Sequence, residues 1–190
     1  MCDKEWKTNM IFEEKEMYIG DMHIMLRNAR TEDAASLIAY LKKTAGETPY
    51  LIRNPEEVSV TMESEINFIK SKEEAKDELM LLAFCNGKHV GNCSLMSMGN
   101  YQRYAHRCSV AIALYQEYCG RGIGTVMLET VLQVAKELGY EQAELEVAAS
   151  NKNAIALYEK MGFQVYGTFP NNMKYQDGTY VDCHWMMKKL

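Results

Sequence analysis

The sequence predicts a single α/β domain in which helices flank a mixed, mostly antiparallel sheet. Three observations predict it. Apolar residues alternate at strand spacing in some segments and recur at helical spacing in others. A glycine-rich turn leads from a strand into a long amphipathic helix. The elements follow the order strand, two helices, three strands, helix, strand, helix, two strands, and that order places helices on both faces of one sheet.

Residues 1–20 are charged and irregular up to Met17-Tyr18-Ile19 and read as an N-terminal extension; 21–190 read as one domain. Gly20-Asp21 is a turn signal before a strand over 23–28. Thr31, followed by Glu32 and Asp33, predicts a hydroxyl cap with acids in the positive first turn of a helix reaching about residue 43. Ala45-Gly46-Glu47-Thr48-Pro49 breaks it. Val58, Met62, Ile66 and Ile69 recur at helical spacing within a second helix, 56–70. Strands at 79–85 and 89–98 flank Asn86-Gly87, a pair suited to a type I′ hairpin turn. A strand over 107–115 precedes the glycine turn and a helix over 123–138, which Gly139 closes. A strand over 143–148, a helix over 151–161 closed by Gly162, and strands over 163–168 and 180–187 joined by a polar loop complete the chain.

With 47% hydrophobic and 25% charged residues the composition is that of a globular protein. The net charge of −5 argues against nucleic-acid binding and favours, weakly, a cationic partner. The six cysteines and four histidines show no metal-ligand spacing, so no metal is expected. The first twenty residues lack an apolar core and no run is long enough to span a bilayer, which predicts a cytoplasmic protein with free thiols and no membrane partner. The fourteen methionines read as core filler.

Two motifs carry chemistry. In Gln116-Glu117-Tyr118-Cys119-Gly120-Arg121-Gly122-Ile123-Gly124-Thr125, three glycines alternate across a helix start, though each costs a helix interior about 1 kcal/mol relative to alanine. Either the turn packs against a neighbour, or an anion such as a diphosphate approaches amides at the positive helix end. The G-x-G-x-G spacing fits neither a P-loop nor a dinucleotide fingerprint. The second motif runs from Leu145-Glu146-Val147 through Asn151, a good N-cap, to Ala154, Tyr158, Gly162 and Phe163. By itself, Tyr158 reads as an aromatic on a buried helix face.

Together, Gly120-Arg121-Gly122-Ile123-Gly124 and Asn151…Ala154…Tyr158…Gly162-Phe163 resemble the GNAT superfamily of N-acetyltransferases, chiefly over residues 80–168. The resemblance implies the acyl-CoA N-acyltransferase fold with splayed central strands, and transfer of acetyl from acetyl-CoA to the amine of a small molecule or a protein N-terminus. It implies pantetheine pairing with the strand at Ile112 and Leu114. It implies diphosphate binding by the backbone from Cys119 through Gly120, Arg121, Gly122, Ile123 and Gly124 to Thr125. Asn151 and Ala154 would adjoin the cofactor, Leu114 N–H would stabilise the oxyanion, and Tyr158 would act as general acid. It also implies a homodimer through the terminal strands. Cys119 replaces the family's usual Gln or Arg, and Ser109 replaces a strand glutamate often credited as base. That leaves His106, Glu144, Glu146 and Asp182 as alternatives, with Glu144 and Glu146 facing away from the core side. The alternative function is a non-catalytic acyl-CoA-binding module.

Overall fold

The computed structural model describes residues 12–99 and 101–190. Eight strands form one sheet in the order β1-β2-β3-β4-β5-β6-β8-β7. They are β1 (Lys15–Ile19), β2 (Met22–Asn28), β3 (Leu79–Cys85), β4 (Lys88–Ser97), β5 (Arg107–Leu114), β6 (Gln142–Ala148), β7 (Gln164–Lys174) and β8 (Tyr180–Lys189). Every neighbouring pair is antiparallel except β5 and β6, which run parallel.

The helices cover both faces. Helices α1 (Ala34–Glu47) and α2 (Met62–Glu74) pack Leu37 and Ile69 against Met80, Leu82 and Phe84. On the opposite face, α3 (Ile123–Glu137) and α4 (Lys152–Lys160) pack Met127, Leu128, Val131 and Tyr158 against Leu79, Leu81 and Ala83. Alternate β3 residues thus enter two cores, and all seven are buried, so this strand reads as a continuous apolar run. Asn86 and Gly87 both take positive φ (49° and 79°), the backbone of a type I′ turn.

The structure departs from sequence expectation at several boundaries. Within the segment read as an extension, Lys15–Ile19 is a sheet strand paired with β2; residues 1–11 lie outside the described residues. Thr31 does not cap α1. It opens a 3-10 turn, Thr31–Asp33, and Asp33 Oδ2 accepts the Arg30 N–H at 2.8 Å. The helix passes through Gly46, which packs beside Pro55, and stops only at Thr48. Pro55–Glu57 forms a separate 3-10 turn, so α2 starts later, where the Thr61 hydroxyl accepts the Ser64 N–H at 3.1 Å. Strand β7 is longer than expected because two bulges let it stay paired with β8.

Candidate active site

The centre of the sheet is a fork. Parallel pairing joins β5 to β6 only from Arg107↔Gln142 to Ser109↔Glu144, whereas β5 continues to Leu114 and β6 to Ala148. On its other side β5 stays paired with β4. Tyr115 N–H donates to Val90 O at 3.0 Å, and backbone groups of an antiparallel strand alternate in direction. Leu114 and Ile112 therefore turn their N–H and C=O groups away from β4, into the open fork. The Tyr40 hydroxyl donates to Ala113 O at 2.7 Å and anchors this stretch to α1.

The glycine turn closes the end of that edge. Gly120 and Gly122 take positive φ (73° and 89°), conformations that disfavour side chains. Gly122 is the N-cap of α3, and no side chain caps this end, so the amides of Ile123, Gly124 and Thr125 begin the helix without intrahelical acceptors. A Cβ on Gly124 would lie 3.4 Å from Leu157, 3.5 Å from Leu114 and 3.7 Å from Ile112, so the turn, β5 and α4 converge here. Cys119 and Arg121 are exposed; burial raises the Cys119 thiol, and its Sγ donates to Tyr115 O at 3.6 Å. This thiol is not activated as a nucleophile.

Helix α4 forms the second wall. Asn151 Oδ1 accepts the Ala154 N–H at 3.3 Å, so this oxygen is engaged in capping. Tyr158 is buried, edge-on to Phe163 with ring centroids 6.0 Å apart. Burial, with the nearby Cys93 thiol, drives its phenol well above the ordinary tyrosine range. It is a fully protonated phenol at neutral pH.

The four acids and bases considered from sequence separate clearly. Glu144 accepts Arg107 Nε at 2.5 Å and Nη2 at 2.6 Å, and also Gln142 Nε2 at 2.7 Å. The hydrogen bond from Arg107 holds its carboxyl below the usual range against the effect of burial. It is a structural carboxylate. Glu146 is exposed and lies in the open part of the fork. Leu145 and Val147 point into the core, so Glu144 and Glu146 share the opposite face. His106 precedes the closed end of the fork, and Asp182 accepts the Asn171 N–H at 2.8 Å.

Sequence reasoning missed Arg107, Tyr40 and Trp185, since each acts through a partner distant in the chain. It also missed the ties behind the glycine turn, where Glu47 accepts the Gln116 N–H at 2.8 Å and Glu117 accepts Lys43 at 3.1 Å. No local spacing signals such contacts. Among the described residues no helix is long and apolar enough to cross a membrane.

Residues 38–163 match the Acetyltransferase (GNAT) family. The chain is 32% identical over 100 residues to an N-alpha-acetyltransferase of Arabidopsis thaliana, covering 50% of this chain and 52% of that protein. It is 27% identical over 111 residues to an L-amino acid N-acetyltransferase of Escherichia coli, covering 57% of this chain and 66% of the relative. The chain thus spans about half to two thirds of these relatives' length. A GNAT-family acetyltransferase of Streptococcus pneumoniae superposes with a TM-score of 0.83 at 27% identity, covering 88% of this chain and 99% of the other. A protein of Salmonella typhimurium solved with acetyl-CoA superposes at 0.77 with 18% identity, over 90% and 95% of the two chains, which shows the shared fold. With most of its length matched to that family and the forked sheet in place, the chain belongs to the GNAT acetyltransferase family.

Proposed function

We propose that this protein is an acetyl-CoA-dependent N-acetyltransferase acting on a primary amine. The observation that carries the reading is the free backbone edge of β5, which runs from the fork to an uncapped, glycine-opened helix N-terminus. An extended amide-bearing arm can pair with that edge, and a diphosphate suits the amides and positive dipole at its end. The residues fit acetyl-CoA: Ile112 and Leu114 would hold pantetheine, the backbone of residues 119–125 the diphosphate, and Asn151 and Ala154 the adjoining wall. When bound, acetyl-CoA supplies an acyl group activated as a thioester.

Each remaining role falls to a residue of this chain. Glu146, the acid in the open fork that pairs with no cation among the described residues, accepts a proton from the incoming ammonium. The Leu114 N–H, directed into the fork, offers a hydrogen bond to the acyl oxygen as negative charge builds there. As the nitrogen–carbon bond forms and the carbon–sulfur bond breaks, Tyr158 gives its proton to the departing sulfur, and the phenolate takes back the second proton from the acetylated nitrogen. Burial keeps that proton in place beforehand. Direct transfer needs no acyl-enzyme, because two reactants bound in the fork would meet in line.

The acceptor is a small-molecule amine or a protein N-terminus; relatives named for each chemistry support this range. Thiol release from acetyl-CoA, measured against a panel of amines and N-terminal peptides, tests the proposal. Acceptor-dependent release supports transfer. Saturable acetyl-CoA binding with no release for any acceptor would instead mark a non-catalytic acyl-CoA-binding module.

A further inference from the structure

Among the described residues, the Glu146 carboxylate has hydrogen-bond donors beside it but no cation. Asn172 Nδ2 donates to its Oε1 at 2.6 Å, and Trp185 Nε1 donates to its Oε2 at 2.9 Å. Both donors are neutral. The ion pairs of the described residues include none to Glu146, whereas its neighbour Glu144 is neutralised by Arg107.

Three exposed aromatic rings stand beside it. Trp185 on β8 is the cross-strand partner of Glu146 and is 38% exposed, while Tyr166 is 53% and Phe169 46% exposed. The Tyr166 ring stacks on Trp185 with centroids 6.2 Å apart, and the Phe169 ring lies 5.9 Å away on a tilt. Register places Trp185 on β8 next to Glu146, one strand from the fork, with Tyr166 and Phe169 beyond it on β7. Met186 points into the core, so Trp185 points to the face that bears Glu146. Tyr166 falls at the β7 bulge between Val165 and Gly167, a device that re-aims a side chain. Gly167 has no side chain of its own: a Cβ there would lie 3.5 Å from Trp185 Cε3, so the indole rests over bare backbone.

An aromatic cluster left in solvent beside an unbalanced carboxylate suits a ligand with both a positive charge and a flat apolar body. We propose that Tyr166, Trp185 and Phe169 form the specificity wall of the acceptor site. The substrate class is a primary ammonium bearing an aromatic ring on a neighbouring carbon, its nitrogen against Glu146 and its ring against Trp185. The proposal rests on the fork being the acetyl-transfer site. It adds which amines the site selects.

Phenylalaninamide and alaninamide test it, since they share an amine and differ by a ring. In the wild type the KM for phenylalaninamide is expected to be about tenfold lower than for alaninamide, the scale of one aromatic contact. Trp185→Ala should raise the phenylalaninamide KM about tenfold more than the alaninamide KM, which feels only the lost hydrogen bond to Glu146, and leave the acetyl-CoA Kd unchanged; Trp185→Phe, which keeps a ring but no N–H, should restore most of the phenylalaninamide preference. Calorimetric titration of phenylalaninamide without acetyl-CoA should show the same loss in Trp185→Ala, so the wall is decided even if acetyl-CoA fails to bind. Absence of acetyl-CoA binding would strike the transfer reading alone. Equal effects of Trp185→Ala on both amides, or none on either, would overturn the wall. So would dissociation of a dimer on sedimentation with amide binding unchanged, because the rings would then serve a second copy of the chain.

Discussion

Ser109 of β5 and Glu144 of β6 form the last pair joined across the parallel centre of the sheet, and beyond them the two strands separate. On the same face Arg107 reaches diagonally across to Glu144 with two hydrogen bonds. A mostly buried carboxylate and a bidentate guanidinium thus pin the closed end of the fork, and the opening beyond is the space the proposed chemistry uses.

Replacing Arg107 by glutamine should leave Glu144 buried without its cation and cost about 1–3 kcal/mol at pH 7, less than a fully buried pair because Arg107 is partly exposed. The sign with pH follows from the lowered Glu144 carboxyl. The unfolded chain binds the proton first, so the contribution is complete above the ordinary glutamate value and fades as pH falls toward the lowered folded value. Urea unfolding between pH 3 and 7 should therefore show a steeper acid decline in the wild type than in Arg107→Gln.

Tyr158→Phe removes a hydroxyl and leaves the ring that packs against Phe163. Turnover should fall by about 100-fold or more, the range for general acid catalysis, while the acetyl-CoA Kd changes little. Steady-state kinetics with calorimetry separates the two effects. Unchanged kcat would remove Tyr158 from the chemistry.

Gly122→Ala places a side chain on a residue with φ of 89° at the head of α3. A left-handed non-glycine residue costs about 1–2 kcal/mol, and relief of the strain would turn the adjoining amides. Both thermal stability and acetyl-CoA affinity should fall together, measured by denaturation and calorimetry.

Glu65 in α2 is buried, and burial raises its carboxyl above the usual range, with Arg53 opposing only in part. Here the folded chain holds the proton longer than the unfolded one, so this group lowers stability as pH rises from the glutamate range through the folded value. Glu65→Gln should raise Tm at pH 7, and the gain should shrink toward pH 4.

The local signals carried far along the chain. Asn86-Gly87, the apolar run of β3, the stripe of α3 and the Asn151 cap each depend on residues adjacent in sequence, where periodicity and turn chemistry act. The errors came where a distant partner decides. Gly46 stays helical, with Pro55 beside it from a later turn, and at Thr31 Asp33 reaches back to the Arg30 amide. Lys15–Ile19 is a strand because β2 offers it an edge. At the site, the glycines and Tyr158 were visible as a pattern. The different surroundings of Glu144 and Glu146 were not, because Arg107, Trp185 and Asn172 approach them from other strands.

Calorimetric titration of the protein with acetyl-CoA, followed by thermal unfolding with and without the ligand, tests the account most directly. One-site saturable binding is expected, with about 2.7 kcal/mol of added stability when acetyl-CoA stands at 100 times its Kd. No heat and no change in Tm at millimolar acetyl-CoA would contradict the assignment of the fork and the glycine turn as its site.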